Sequence, residues 1–335
     1  VGSGAFNNYN RANVDYSVAI GYNALTGSSS GDYNTAVGAN SNVYYSNASR
    51  NTSIGYSAKT GYWQNISVGN YAGYSMYGQS DYCNFVGAWA GYDMDGGDYC
   101  NFFGQSAGYA GGSGSYNNGF GNYALSSLTS GGYNSGVGHY SLHKVTSGAN
   151  NVGVGNYSGQ DITTGSNNTA VGGNSLSMAG TSNFSGSNNV CIGYQATPTS
   201  DSVSNEITLG NASISSLRCQ VTSITALSDQ RDKTAIEDLD LGLDFIKAMK
   251  PRKFAWNRRD GKWHGKKEVG FIAQELHEVE MDFNSTDRTR LVNYGNPSRL
   301  EAQPMNTYPI LVKAIQELSA KVDSLQTKIA KLEGA

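Results

Sequence analysis

One glycine returns along this chain with a period that admits few architectures. It stands at positions 21, 38, 55, 69, 87, 104, 121, 138, 155, 172, 193 and 210, with successive spacings of 17, 17, 14, 18, 17, 17, 17, 17, 17, 21 and 17. The residues around it align from copy to copy: Ser17-Val18-Ala19-Ile20-Gly21-Tyr22-Asn23-Ala24, Asn34-Thr35-Ala36-Val37-Gly38-Ala39-Asn40-Ser41, Asn51-Thr52-Ser53-Ile54-Gly55-Tyr56-Ser57-Ala58. Val1-Gly2 reads as the tail of an earlier copy. A fixed period of this length marks a stacked solenoid, not a disordered Gly/Ser/Asn tract. Such copies are too short for a helix pair and suit two short strands and two turns. The residue before each glycine is Ile20, Val37, Ile54, Val68, Val86, Phe103, Phe120, Val137, Val154, Val171, Ile192 or Leu209. This apolar column is expected to line up from coil to coil as a continuous core. The glycine beside it permits a tight turn or a close backbone approach, and polar stretches such as residues 26–32 supply the return loops. At ~4.8 Å per coil, about thirteen coils would make a shaft of roughly 60 Å.

A single column of mostly β-branched residues is a thin core for one chain, because burial must exceed the ordering cost of every residue. Three copies burying their faces against one another would remedy this. The pattern resembles the head of trimeric autotransporter adhesins and the similar repeats of phage tail fibres, over roughly residues 1–212. The resemblance implies a mainly β fold whose shaft is a trimeric left-handed parallel β-roll.

Charge then locates a boundary. Residues 1–227 hold five basic residues (Arg11, Arg50, Lys59, Lys144, Arg218) and nine acidic ones, whereas residues 228–335 hold the remaining 18 basic and 17 acidic. Of the 43 glycines 37 precede Ser228, as do 21 of the 23 tyrosines. Two materials meet near residue 227. The formal net charge of −3 offers no clustered basic face for nucleic acid. No apolar run approaches the ~18 residues of a membrane span, so no membrane insertion is expected. Four cysteines in 335 residues do not make a disulfide scaffold.

From Ser228 the sequence reads as a small α+β domain ending in a helix. Ser228-Asp229-Gln230-Arg231-Asp232-Lys233 opens it, with a helical stretch expected over residues 240–249. Pro251-Arg252-Lys253-Phe254-Ala255-Trp256 and the basic turn to Lys267 predict a hairpin, and Gly270-Phe271-Ile272-Ala273-Gln274-Glu275-Leu276 leads into a second helix. Pro309 starts a last helix in which Leu311, Ile315, Leu318, Val322, Leu325, Ile329 and Leu332 are spaced 4, 3, 4, 3, 4, 3. That period is a coiled-coil seam of about three heptads. Its a and d residues predict parallel self-association; the number three comes from the β-roll and the resemblance.

On the residues alone, a serine five before a lysine reads as a capping serine and a solvated lysine. The order of the serine–aspartate start, the proline-to-tryptophan segment, the GFIAQEL segment and the terminal helix is similar to the intramolecular chaperone auto-processing domain of phage endosialidases, tailspikes and L-shaped tail fibres. That resemblance implies a cassette that trimerises, templates the stalk before it and cuts itself off, with Ser228 as nucleophile, Lys233 as base and the Leu227–Ser228 bond as target. A serine hydroxyl needs such a base, and lysine serves as one when a desolvated site lowers its pKa. Asp229 and Arg231 either orient the pair or form an ion pair that holds trimer geometry. The expected domains are repeats over 1–212, a connector over 213–227, the chaperone over 228–308 and the coiled-coil helix over 309–335.

Weaker constellations are read structurally. Cys83 and Cys100, 17 apart, should be buried thiols in adjacent coils, because in-register strands suit disulfide geometry poorly. His139 and His143 mimic a metal motif that needs a helix, so no metal is assigned there. Asp93, Asp95 and Asp98 read as a solvated turn, with a cation site as the alternative. No cofactor is expected. Tyr62, Trp63, Trp89, Tyr92 and Tyr109 are the receptor candidates, since exposed aromatics stack on sugars or fill receptor pockets; the alternative is that they fill trimer interfaces or pack along coil exteriors.

The function expected is the distal part of a homotrimeric viral tail fibre or tailspike in the virion, synthesised in the host cytoplasm. Its partners would be two further copies of itself, a host-cell receptor such as a glycan, and another virion tail protein held by a segment before Val1. Its only chemistry would be one self-cleavage. A glycan-degrading tailspike needs paired carboxylates beside a groove, and Glu206 is the only glutamate before residue 228. A bacterial trimeric adhesin would end in membrane strands instead of a coiled coil.

Overall fold

Each repeat contributes one three-residue strand, from Val18–Ile20 to Ile207–Leu209, and twelve of these pair in parallel, each with the next, in a single sheet. The structure is a computed structural model. It describes all residues except 1, 6–15, 27–30, 44, 46, 77, 79, 179–182, 221–227, 259–262, 296, 298–299 and 335. The chain divides into two compact units, Val1–Ile214 and Ser215–Ala335.

Register follows the repeat, with Val18 opposite Thr35, Ala19 opposite Ala36 and Ile20 opposite Val37. The short copy keeps it, pairing Thr52 with Ile66, and so does the long one, pairing Thr169 with Val190. Length variation is therefore absorbed in the return loops. The second strand expected in every copy is found, among the described residues, only at Asn42–Val43 and Lys59–Thr60, with isolated bridges elsewhere. In the other copies turns take its place, and their backbone groups bond the neighbouring coil, as Gly108 N does with Ala124 O and Leu142 N with Ser158 O. The anchor glycine is required by proximity as well as by conformation. Gly38 has φ +130°, and a Cβ there would lie 2.4 Å from the Gly55 carbonyl oxygen of the next coil.

The core is not the column expected. Residues before the glycine point outward, with Ile20, Val137, Ile192 and Leu209 all exposed. Alternation along a three-residue strand buries the middle residue instead: Ala19, Ala36, Ser53, Phe85, Phe102, Ala170 or Cys191. The middle position trades volume with a second one six residues on. Ala19 accompanies Leu25, Gly136 accompanies Leu142 and Ala170 accompanies Leu176, whereas Phe85 faces Gly91 and Phe102 faces Gly108. A Cβ on Gly108 would meet the Phe102 ring at 2.3 Å. Interiors tolerate neither overlap nor void, so in these five coils a large side chain at one of the two places is matched by a small one at the other.

Two ladders run along the coils. Buried asparagines form the first. Asn134 Nδ2 donates to Gly148 O at 2.9 Å, and its Oδ1 accepts from Asn151 N at 3.0 Å, a pattern continued by Asn151 and Asn168. Cys83 and Cys100 occupy this column in adjacent coils as buried free thiols. Their Sγ atoms donate to Gly97 O and Gly114 O at 3.2 and 3.3 Å, in the place of the amide. The second ladder, two residues before each strand, has left-handed backbone in every described copy, with φ from +53° at Gln64 to +64° at Asn205. Asparagine tolerates that region; a tyrosine there costs about 1–3 kcal/mol. Tyr82, Tyr99, Tyr116 and Tyr133 nevertheless occupy it and stack face to face, which returns about 0.5–1.5 kcal/mol per pair. Four strained residues share three such stacks, so the strain exceeds what stacking returns.

The second unit has an irregular core of Leu241, Phe245, Met249, Leu276, Val279, Leu291, Val292 and Ile310. Its helices are α1 (Leu243–Ala248), α2 (Ala273–Asp282), α3 (Thr286–Thr289) and α4 (Tyr308–Glu333), and Arg252–Ala255 pairs antiparallel with Lys267–Gly270. The carboxylate of Glu317 on α4 accepts from Leu243 N at 2.8 Å, capping the start of α1. Glu280 is fully buried. Its Oε1 accepts from Thr289 Oγ1 and Leu291 N, each at 2.6 Å, and bridges α2 to the segment after α3.

Candidate self-cleavage site

The site is built on one tight turn. Asp229 caps the 3-10 helix Gln230–Asp232 by accepting from Arg231 N at 2.9 Å, and Lys233 N closes the turn on Gln230 O at 3.1 Å. This folds residue 233 back over residue 228. Lys233 Nζ donates to Ser228 Oγ at 2.5 Å and reaches the Ser228 carbonyl oxygen at 3.4 Å. A five-residue separation in sequence thus becomes direct contact between the two side chains assigned as nucleophile and base.

Asp229 and Arg231 pair with each other, not with that couple. Arg231 Nε and Nη2 meet the Asp229 carboxylate at 3.0 and 2.6 Å. The guanidinium holds the Asp229 carboxyl below the usual carboxylate range, and the carboxylate raises Arg231 in turn. Ser228, Asp229, Arg231 and Lys233 are all exposed. A single chain therefore supplies the contact but not the water exclusion that lets a lysine act as a base. Leu227, the residue whose carbonyl would be attacked, lies outside the described residues.

The seven heptad residues of α4 are also exposed. Ile310 and Ala314 turn into the core, whereas Leu311, Ile315, Leu318, Val322, Leu325, Ile329 and Leu332 face away from it, and every residue from Leu318 to Gly334 is exposed. Of the five receptor candidates, Tyr92 and Tyr109 are brought together, stacked at 5.0 Å and 3° with Tyr74 beyond Tyr92 at 5.3 Å. Tyr62 stacks on Tyr45 at 4.2 Å, and Trp63 and Trp89 stand exposed elsewhere on the shaft.

In the acidic loop, Asp98 Oδ1 accepts from Asp81 N at 2.9 Å, so its carboxylate caps the neighbouring coil. His143 Nδ1 bonds Ser126 Oγ at 2.6 Å while burial lowers its pKa, and His139 lies edge-on to Tyr140 and Tyr157. No group of three or more metal-ligating side chains occurs among the described residues, and no helix there is long and apolar enough to cross a membrane. The tyrosine ladder and the asparagine ladder were not singled out from sequence, although both recur with the period of the glycine.

Comparison with known families matches residues 228–285 to the family described as the chaperone of endosialidase. The match begins at Ser228 and includes Lys233. No curated protein and no solved structure matches the chain.

Proposed function

We propose that this chain is the distal part of a homotrimeric viral tail fibre or tailspike, whose C-terminal cassette assembles the trimer and then severs itself at the Leu227–Ser228 bond. The contact of Lys233 Nζ with Ser228 Oγ, at the first residue of a segment similar to the chaperone of endosialidase, is the observation that carries the proposal. Lys233 takes the hydroxyl proton, and Ser228 Oγ attacks the carbonyl carbon of Leu227. The peptide bond to the Ser228 nitrogen breaks as that nitrogen is protonated, leaving Leu227 esterified to Ser228 Oγ. Water hydrolyses the ester, freeing the Leu227 carboxylate and restoring the hydroxyl on a fragment that begins with Ser228.

Two features support assembly before cleavage. The outward apolar column of the shaft and the heptad face of α4 are both uncovered in one chain, and further copies would bury them. The exposed Ser228–Lys233 pair would lose water in the same event, so that the base becomes competent when the trimer forms. Host attachment by the remaining shaft completes the proposal. The test is denaturing electrophoresis of the expressed chain. Two fragments are expected from the wild type and one band from Lys233→Ala, because loss of a general base slows such a step by about 10²–10⁴-fold. Equal cleavage in both proteins would contradict the dyad.

A further inference from the structure

Tyr82, Tyr99, Tyr116 and Tyr133 hold one repeat position in four successive coils. Their ring centroids are 4.9, 5.0 and 4.8 Å apart, and neighbouring planes lie within 8° of parallel. All four rings are exposed, and none of the four hydroxyls has a hydrogen-bond partner among the described residues. The fold does not require them. Asn150 and Asn167 fill the same position in the coils that follow, with φ +57° and +60°, and the strain of the left-handed tyrosines exceeds what their stacking returns. What the tyrosines add is a surface: a straight row of phenol hydroxyls and ring edges, one per coil.

We propose that this row is a track for an extended cell-surface polysaccharide lying along the shaft. The proposal rests on the attachment role given above and names the partner's chemistry. Equal rungs at equal spacing are complementary to a ligand that carries its own repeat, and a linear sugar chain repeats on the length scale of one coil. A folded protein receptor presents an irregular surface and gains nothing from four identical rungs. Phenols supply both halves of sugar recognition, an apolar ring for C–H faces and a hydroxyl for hydroxyls. Asp81 and Asp98 adjoin the first two rungs. Each uses Oδ1 to accept a backbone N–H of the neighbouring coil, at 2.8 Å from Trp63 and 2.9 Å from Asp81, which leaves Oδ2 to accept from a sugar. Another copy of the chain also repeats per coil, but the outward column of Ile20, Val137 and Ile192 offers it more apolar area. Rungs that are weak singly become strong when one polymer spans them.

The test is binding of the full chain to an array of bacterial capsular and O-chain polysaccharides, and to mono- and disaccharides cut from any that bind. At least one polymer should bind, and its short fragments should bind weaker by about tenfold or more. Tyr99→Asn/Tyr116→Asn should lose a similar factor with an unchanged circular dichroism spectrum, since asparagine is native to this position. If that variant fails to fold, Tyr99→Phe/Tyr116→Phe, which keeps the stack and removes two hydroxyls, should still weaken binding. The track is overturned if no polymer binds, if fragments bind as well as the polymer, if binding survives the substitutions, or if they disrupt only association between copies. Adsorption to bacterial cells separates the two levels. Undiminished adsorption by the variant would remove the track and leave attachment standing, whereas no adsorption by the wild type would contradict attachment itself.

Discussion

The two units of this chain hold themselves together in opposite ways. In the shaft each coil repeats its neighbour, so glycine meets glycine, asparagine meets asparagine and the strand pairing recurs from coil to coil. In the cassette Phe245, Leu276, Leu291 and Ile310 meet in one irregular core, and Glu280 has partners found nowhere else in the chain. The difference lies in how strongly each sequence specifies its own register. A shaft coil that skips its neighbour and pairs with the next still finds matching partners, and such strands are prone to slip. Only irregularities such as the Cys83–Cys100 pair, the Phe85–Phe102 stack and the 14- and 21-residue copies break that degeneracy. A unit with one unique packing is suited to start the assembly of a unit with many near-equivalent ones.

The largest effect expected from breaking this division is loss of assembly. A chain ending before Pro309 lacks the heptad face, and sedimentation should find monomeric or insoluble shaft. Soluble trimers at normal yield would mean that the shaft sets its own register and needs no template.

Next come the paired core positions of the shaft. Phe102→Ala should cost about 3–5 kcal/mol in denaturant unfolding. Phe102→Gly combined with Gly108→Leu copies the arrangement of the coil with Gly136 and Leu142, where Leu142 has the same left-handed φ, +52° against +59° at Gly108. The double variant should recover most of the loss. Failure to recover would show that the coils are not interchangeable. Asn134→Ala ranks lower. It leaves Gly148 O and Asn151 N without their buried partner, at about 1–3 kcal/mol, and chemical denaturation of the protein would measure it.

The smallest effect belongs to the Asp229–Arg231 pair. Its carboxyl is depressed by the guanidinium, so any contribution to stability is present above the ordinary aspartate value and is lost as pH falls through the lowered pKa. The pair is exposed and screened. Arg231→Ala should return the Asp229 titration, followed by carboxyl NMR, to its ordinary value without a resolvable change in melting temperature at neutral pH. A clear destabilisation would instead place Arg231 in a buried interface of the assembly.

Much of this organisation was legible in the sequence because it is periodic. The glycine spacing predicted a stacked solenoid, and Pro309 marked the start of the last helix to within one residue. The sense of the strand was misread. In a three-residue strand the inward position is the middle one, yet that column varies among Ala, Ser, Gly, Phe and Cys because its volume is balanced against a position six residues on. The uniform Val/Ile/Phe column looked like a core and faces outward. The asparagine ladder escaped notice because asparagine in a Gly/Ser/Asn-rich sequence reads as loop material until its carbonyl and amide partners are seen. Around Ser228 the resemblance to auto-processing chaperones, not the five-residue spacing, pointed to Lys233 as the partner of Ser228; neither carries information on burial, and the exposure of the pair is visible only in the fold.

Mass spectrometry of the expressed protein tests the division between template and product most directly. Cleavage should leave a shaft ending at Leu227 and a fragment beginning with Ser228, the residue where charge density and glycine content change. Ser228→Ala deletes one hydroxyl and should yield only the intact chain, still assembled as a trimer. A new terminus anywhere other than Ser228, or an undiminished cut in Ser228→Ala, would contradict the account.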